Sequence, residues 1–305
     1  SNKDSLGSWY IMKKIAIIGL GKWGRNLLRE FSKISCVTKC HTRGNQKNIS
    51  WLRKNYPKVV HTTSIRDIFT DKNVDAVVIS TPIDSHFKIA RNALEAGKHV
   101  FVEKPMTSTI VEAKQLLKIA KSKNLNLFVG HIFLHNEIFK KIKKIDSQES
   151  IIYAHFAWKK FGTFDEDIFK NLLSHDISLI LKLFGAPNRI RLTSNMGFIT
   201  TSDRISLELN LTQHRKCDVS IDRISPYKEK SVTFLTKKNL FVWNDDKLLR
   251  FDKRSQLFKK IYQSKNTPLH LECKDFIINI TNKKVSYDSA ILALNVTRIL
   301  SKLSR

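Results

Sequence analysis

Acidic residues are scarce in this chain: 27 Asp and Glu stand against 54 Lys and Arg, a formal charge of +27 over 305 residues. The shortage is deepest between Glu30 and Asp67, where no carboxylate side chain occurs. Such a surplus of cations attracts anions, whether nucleic acid, acidic membrane or phosphorylated small molecules. The basic residues are scattered, however, in pairs such as Lys13-Lys14, Lys159-Lys160, Lys237-Lys238 and Lys283-Lys284. No basic arm or nucleic-acid motif gathers them, which argues against a nucleic-acid partner and for a lysine-rich surface. Long apolar runs are missing too, and a membrane-spanning helix needs about 20 such residues in a row. The opening SNKDSLGSWYI lacks a basic segment followed by an apolar run, so it does not read as a secretory signal. Residues 1–11 are set aside as a tag or upstream extension. Cysteine is sparse: Cys36, Cys40, Cys217 and Cys273 include one C-x3-C pair and no second pair at zinc spacing. Neither a metal site nor a disulfide framework is expected, and reduced thiols fit a cytoplasmic protein.

Apolar material is ample. Hydrophobic residues make up 42% and aromatics 10%, which excludes a disordered chain. The length suits two domains of about 120–180 residues each. Lys14 to Ile18 has the unbroken apolar, β-branched character of a buried parallel strand. Helix signals follow at Arg25–Ser32, strand signals at Val37–His41, and helix signals again at Ile49–Asn55. Asp75–Ser80 reads as a strand stopped by Thr81-Pro82. Phe87, Ala90, Ala93 and Leu94 recur at helical spacing until Gly97. His99–Val102 is a strand, Thr109–Ser122 a helix and Leu125–Val129 the closing strand of this half. Strands alternating with helices imply right-handed crossovers and a doubly wound parallel sheet, an α/β Rossmann domain spanning 12–130.

The texture changes over 131–305. Helices are expected at Asn136–Ile145, Asn171–Phe184, Leu269–Ile280 and Ser289–Leu303. Alternating strands are expected at Ile151–Trp158 and then repeatedly from Arg189 to Phe251, including Arg204–Leu211, Cys217–Ile224 and Ser231–Leu235. This is the pattern of an α+β domain with an open, mostly antiparallel sheet.

Gly19-Leu20-Gly21-Lys22-Trp23-Gly24 follows the first strand and opens a helix, the context that turns a weak GxGxxG match into a dinucleotide-binding signal. Gly19 permits a tight turn, Gly21 lets the backbone approach a pyrophosphate, and Gly24 lets helix and strand pack closely. The helix start at Lys22–Arg25 offers N–H groups and a positive dipole end to phosphates. An NAD site places Asp or Glu about 20 residues beyond the glycines, on the ribose diol. Here that position falls at Thr42, followed by Arg43 and Lys47. A hydroxyl and two cations suit a 2′-phosphate, so NADP is favoured over NAD.

The glycine loop, together with Ser80-Thr81-Pro82, His86, and above all Ala96 to Pro105 with its Glu103-Lys104-Pro105, resembles the Gfo/Idh/MocA oxidoreductases, the glucose-fructose oxidoreductase and inositol dehydrogenase group. Val129-Gly130-His131 continues the likeness, and Leu269–Phe276 is similar to the family's closing helix. The resemblance is dense over 12–135 and thin beyond. It implies a Rossmann domain followed by a substrate-binding domain whose sheet forms a dimer face, hence a homo-oligomer, dimer or tetramer. It implies cofactor contacts at Gly19, Gly21, Lys22, Trp23, Gly24, Ser80, Thr81, Pro82, His86 and Glu103. It also implies that Lys104 reaches the active site, its direction fixed by Glu103 and Pro105. An ammonium there stabilises developing alkoxide charge as hydride leaves for the nicotinamide. Family members commonly carry Asp-x-x-x-His on one helical face; this chain has Asn171 and His175, so the acid of the pair is replaced by an amide. Asp176 reads as a local cap or pair, and His86, His131 and His135 as structural. His175-Asp176-Ile177-Ser178 is most similar to members acting on nucleotide-linked sugars. The resulting expectation is hydride transfer between a nicotinamide and a secondary hydroxyl or ketone of a sugar, cyclitol or nucleotide-sugar. The alternatives are a non-catalytic NADP(H)-binding regulator and, on charge alone, a nucleic-acid-binding protein.

Overall fold

A computed structural model describes residues 12–303; the segment 1–11, expected to be a tag or extension, lies outside the described residues. The chain packs as two units. Among the described residues the first contains 12–103 together with 115–128 and 273–287; the second contains 104–114, 129–272 and 288–303.

In the first unit β1 (Lys14–Ile18), β2 (Cys36–His41), β3 (Val60–Thr62), β4 (Ala76–Ile79), β5 (His99–Glu103) and β6 (Leu127–Gly130) form one sheet in the order β3-β2-β1-β4-β5-β6. β1 pairs with β2 and β4, β2 with β3, and β4 with β5, all parallel. The helices of the crossovers are α1 (Lys22–Ile34), α2 (Gln46–Asn55), α3 (Arg66–Phe69), α4 (His86–Glu95) and α5 (Ile110–Lys123). Ile15 to Ile18 and Ala76 to Ile79 are all buried, which is why these strands read as unbroken apolar runs. α1 buries Gly24, Leu27, Leu28 and Phe31, the i, i+3, i+4, i+7 stripe of an amphipathic helix. Phe31, Phe101, Phe128 and Phe276 then meet edge-on or stacked, with centroids 5.2 to 6.2 Å apart, in the core of this unit. The short strand β3 was not anticipated. It has three residues, with Val60 exposed, so it carries almost no periodic signal.

The second unit contributes α6 (Glu137–Glu149), β7 (Ile151–Lys159), α7 (Ser174–Phe184), β8 (Arg189–Met196), β9 (Arg204–Asn210), β10 (Lys216–Asp222), β11 (Glu229–Thr236), β12 (Leu240–Asn244), β13 (Lys247–Asp252), β14 (Leu257–Gln263) and α9 (Asp288–Leu303), while α8 (Pro268–Thr281) has most of its residues in the first unit. The sheet runs β14-β13-β12-β11-β7-β10-β9-β8. It is antiparallel except for the β7–β10 pair, which is parallel. Side chains alternate along β9 and β10, so that Ile205, Leu207, Leu209, Cys217, Val219 and Ile221 join one apolar core with residues of α6, α7 and α9.

Candidate active site

In the first unit the loop after β1 is shaped by its glycines. Gly19 has φ +98°, and a Cβ there would lie 2.8 Å from the Ser80 carbonyl oxygen. At Gly24 a Cβ would lie 2.1 Å from the Gly19 carbonyl oxygen and 2.8 Å from Ser80 Oγ, which itself donates to Gly19 O at 2.8 Å. Gly21 is different: a Cβ there would meet nothing within 4 Å, and Gly21 is the N-cap of α1. The first turn of α1 holds no acidic side chain and no side-chain cap, so its N–H groups remain for an anion.

These residues border a cleft of about 540 Å³ that also takes in Thr42, Arg43, Ser80, Thr81, Pro82 and Lys88. Among the described residues no carboxylate lines it, and Arg43 and Lys88 supply positive charge. The donor set therefore fits a diphosphate with a further phosphate on the ribose, the same demand the glycines answer.

Of the expected contacts, Gly19, Gly21, Thr42, Arg43, Ser80, Thr81 and Pro82 line the cleft, while Lys22, Trp23, Lys47 and Glu103 do not. Gly24 acts from behind through its packing on Gly19, and His86 likewise: it is 2% exposed and its Nε2–H donates to the Thr81 carbonyl at 2.7 Å. Thr42 is buried, and its hydroxyl pairs with His61 Nε2 at 2.9 Å and accepts the Gly44 N–H at 3.3 Å. That hydroxyl shapes the β2 exit. Sequence reasoning passed over Asn45, which caps α2 by accepting the Asn48 N–H at 3.1 Å, and Asn48, which accepts from Arg25 Nη2 at 2.6 Å. Both line the cleft. An Asn three residues after the expected ribose position was the available signal.

In the second unit the Lys104 ammonium donates twice to Asn171, to Oδ1 at 2.7 Å and to the main-chain oxygen at 3.0 Å. Asn171 sits in a π-helical turn, Phe169–Leu173, that leads into α7. Such turns are rare and often mark functional positions. His175 lies in the first turn of α7, its ring 4.8 Å from that of Phe133 in an edge-on contact. No side-chain hydrogen bond joins Asn171 to His175 among the described residues; the amide oxygen serves the lysine. Burial, with the charges of Lys104, Lys230 and His131 adding to it, holds the His175 pKa well below its ordinary value, so the imidazole is neutral at neutral pH. His131, 4% exposed, is pushed down to about 3 by burial first and Lys104 second, and its Nε2 has no hydrogen-bond partner among the described residues.

His131 gives a measurable consequence. Its folded pKa lies below the unfolded value of about 6.5, so the unfolded chain takes up the extra proton as pH falls, and stability is lost below that point. At pH 5 the loss from this one group is about 2 kcal/mol relative to pH 8. Urea unfolding of wild type and His131→Asn at both pH values should show the variant losing that much less on acidification. Parallel losses in the two proteins would mean that His131 titrates normally.

The comparisons with known proteins bear on the region where the site's glycines lie. Residues 13–131 match the GFO_IDH_MocA family, described as an oxidoreductase family with an NAD-binding Rossmann fold. This region belongs to the Gfo/Idh/MocA family. A relative from Escherichia coli, the oxidoreductase YhhX, is 34% identical over 146 residues, covering 44% of this chain and 42% of the relative. UDP-N-acetylglucosamine 3-dehydrogenase of Acidithiobacillus ferrooxidans is 29% identical over 154 residues, 50% of this chain and 49% of that protein. These matches span less than half the length of either relative. The solved structure of the Acidithiobacillus enzyme, GnnA, superposes with a TM-score of 0.86 at 21% identity over 95% of each chain, which shows that the fold is shared well beyond the Gfo/Idh/MocA region. Among the described residues no helix is long and apolar enough to cross a membrane, and no group of His, Cys, Asp and Glu is arranged to hold a metal.

Proposed function

We propose that this chain is an NAD(P)-dependent oxidoreductase that moves a hydride between a nicotinamide and a secondary hydroxyl, or the matching ketone, of a sugar, cyclitol or nucleotide-sugar. The observation that carries this reading is the Lys104 ammonium fixed on two oxygens of Asn171, with the imidazoles of His175 and His131, depressed first by burial and then by its charge, close enough to feel it. Residues 12–130 take the cofactor role, and 131–305 take the substrate and dimerisation roles.

Oxidising an alcohol removes a proton from oxygen as hydride leaves carbon. Lys104 hydrogen-bonds that oxygen and stabilises the negative charge that develops on it. His175, neutral because its pKa is depressed, accepts the proton, and returns it when a ketone is reduced. Asn171 orients Lys104 and takes no proton. Bound NAD(P) supplies the hydride acceptor at its nicotinamide. Gly21 and the start of α1 take the pyrophosphate, and Arg43 takes the ribose phosphate.

NADP is the preferred cofactor in this reading because cations and no carboxylate border the cleft. Arg43→Ala should weaken NADP binding by about tenfold, the loss of one charge-assisted hydrogen bond, and leave NAD within about twofold. Titration of both nucleotides by tryptophan fluorescence reads the difference; equal losses would remove Arg43 from the ribose site.

The four described cysteines are free thiols, which supports a cytoplasmic setting. The edge strand β14 exposes Leu257, Phe258 and Ile261, which supports a homo-oligomer closing over that edge. The decisive experiment is turnover of NADP or NADPH across a panel of sugars, inositols, UDP-sugars and their keto forms. Tight NADP binding with no turnover of any member would leave the chain a redox-sensing regulator.

A further inference from the structure

The second unit contains a cavity of about 380 Å³ whose walls include Phe133, Trp158, Asp176, Lys230, Trp243 and Asp245. None of these was assigned to the hydride or proton steps. We propose that this cavity holds an uncharged, polyhydroxylated ring of the substrate, that Asp176 and Lys230 read two of its hydroxyls, and that a ring bearing a carboxylate is rejected. The proposal rests on the oxidoreductase reading and narrows its substrate.

The first support is an unsatisfied group. Asp176 is 8% exposed and lines the cavity, yet no hydrogen bond reaches its carboxylate among the described residues; only burial and the charge of Lys230 act on it. A largely buried acceptor with no donor from the protein is rarely left unanswered in native structures. A donor entering from the cavity answers it. Lys230, on β11, is the complementary case. Its ammonium stands 2.9 Å from the centre of the Phe133 ring, in the wall of the same cavity, and makes no hydrogen bond among the described residues. The Asp176 carboxyl, raised to about 7 by burial, and the Lys230 ammonium suit neighbouring hydroxyls, which can both donate and accept.

The second support is charge. Three carboxylates, Asp176, Asp245 and Asp246, line the cavity against two ammonium groups, Lys230 and Lys265. In a chain of net charge +27 this wall carries a net negative charge, the wrong sign for a uronate or a phosphate. Trp158 and Trp243 add flat apolar surface of the kind that packs on the C–H face of a sugar ring. The third support is position. Asp176 follows His175 in α7, and the Phe133 ring that Lys230 covers is the ring His175 touches edge-on. The cavity therefore shares the Phe133 ring with the residue that takes the proton.

The test uses two matched pairs, glucose with glucuronate and UDP-glucose with UDP-glucuronate, titrated by calorimetry into the NADP-loaded chain. In at least one pair the member whose sugar ring is uncharged, the neutral ligand of that pair at the ring, should bind about tenfold or more tightly than its acid, and the pair that binds says whether the ring arrives free or nucleotide-linked. Asp176→Asn and Lys230→Met should each weaken that neutral ligand by about tenfold, with the loss appearing in KM far more than in kcat where turnover is measured. Lys230→Met keeps the test open should the Asp176 variant fail to fold. Preference for either acid, binding of neither neutral ligand, or wild-type affinity in a folded variant would overturn the proposal. Those failures are distinct from failure of the oxidoreductase reading, which is shown by lack of NADP binding or of turnover across the wider panel.

Discussion

Lys104→Met is expected to lower kcat by about 10³-fold, and by no less than 10²-fold, while NADP affinity stays within about twofold. Methionine nearly preserves the length and volume of the stem, so packing is held and the ammonium alone is removed. Two losses combine. The substrate oxygen loses the donor that stabilises its developing charge, a contribution of about 3–4 kcal/mol for one well-placed donor. Asn171 also loses the donor that fixed its side-chain oxygen, although its main-chain oxygen keeps the bond from Ser174 Oγ at 2.9 Å. Single-turnover measurements with pre-bound cofactor isolate the chemical step from binding. A kcat within tenfold of wild type, in a variant that melts normally, would move the chemistry away from Lys104. Lys104→Arg is the useful companion: it restores charge but replaces a compact donor by a broad planar fork that the two Asn171 oxygens were not spaced to receive, so it should recover little activity.

The glycine loop was legible because its demands are local. A tight turn and a close helix–strand approach can be met only by residues without a Cβ, and the positive φ at Gly19 and the near-contact at Gly24 are what the motif encodes. The parallel order of β1, β2 and β4 followed from apolar runs alternating with helices. What could not be read was partnership across long separations. The Thr42 hydroxyl was expected to meet a ribose, but His61 on β3 already engages it, and β3 itself was too short to be noticed. Asn171 looked like a weakened half of a pair with His175. The pair it forms is with Lys104, 67 positions away, because a π-helical turn and the packing of 104–114 with the second unit bring them together. Asp176 read as a local cap. Its cavity exists because β11 lies beside β7 and presents Lys230 opposite Trp158, a register that residue types alone do not specify.

The contrast between Gly21 and Gly24 separates cofactor binding from folding in two residues of one motif. Gly24→Ala forces a Cβ to within 2.1 Å of a backbone carbonyl, and neither α1 nor the Gly19 loop can yield without breaking the Ser80–Gly19 bond. Overpacking of this kind costs about 3 kcal/mol or more, a large part of the 5–15 kcal/mol that holds a domain together. The melting temperature should fall by roughly 6–12 °C, or the protein should fail to accumulate in soluble form. Gly21→Val meets open space instead, at φ −70°, a backbone that valine adopts without strain. Its only cost to the fold is a poorer cap at the start of α1, about 1 kcal/mol. The added methyl groups occupy the cleft where the main chain must approach the pyrophosphate, so NADPH affinity should fall by about 10²-fold or more, equivalent to about 2.8 kcal/mol. Thermal melts and NADPH fluorescence titrations on both variants decide the matter. A Gly21→Val protein that binds NADPH as wild type does would mean that the phosphates lie elsewhere, and the Arg43 and α1 assignments would fall with it.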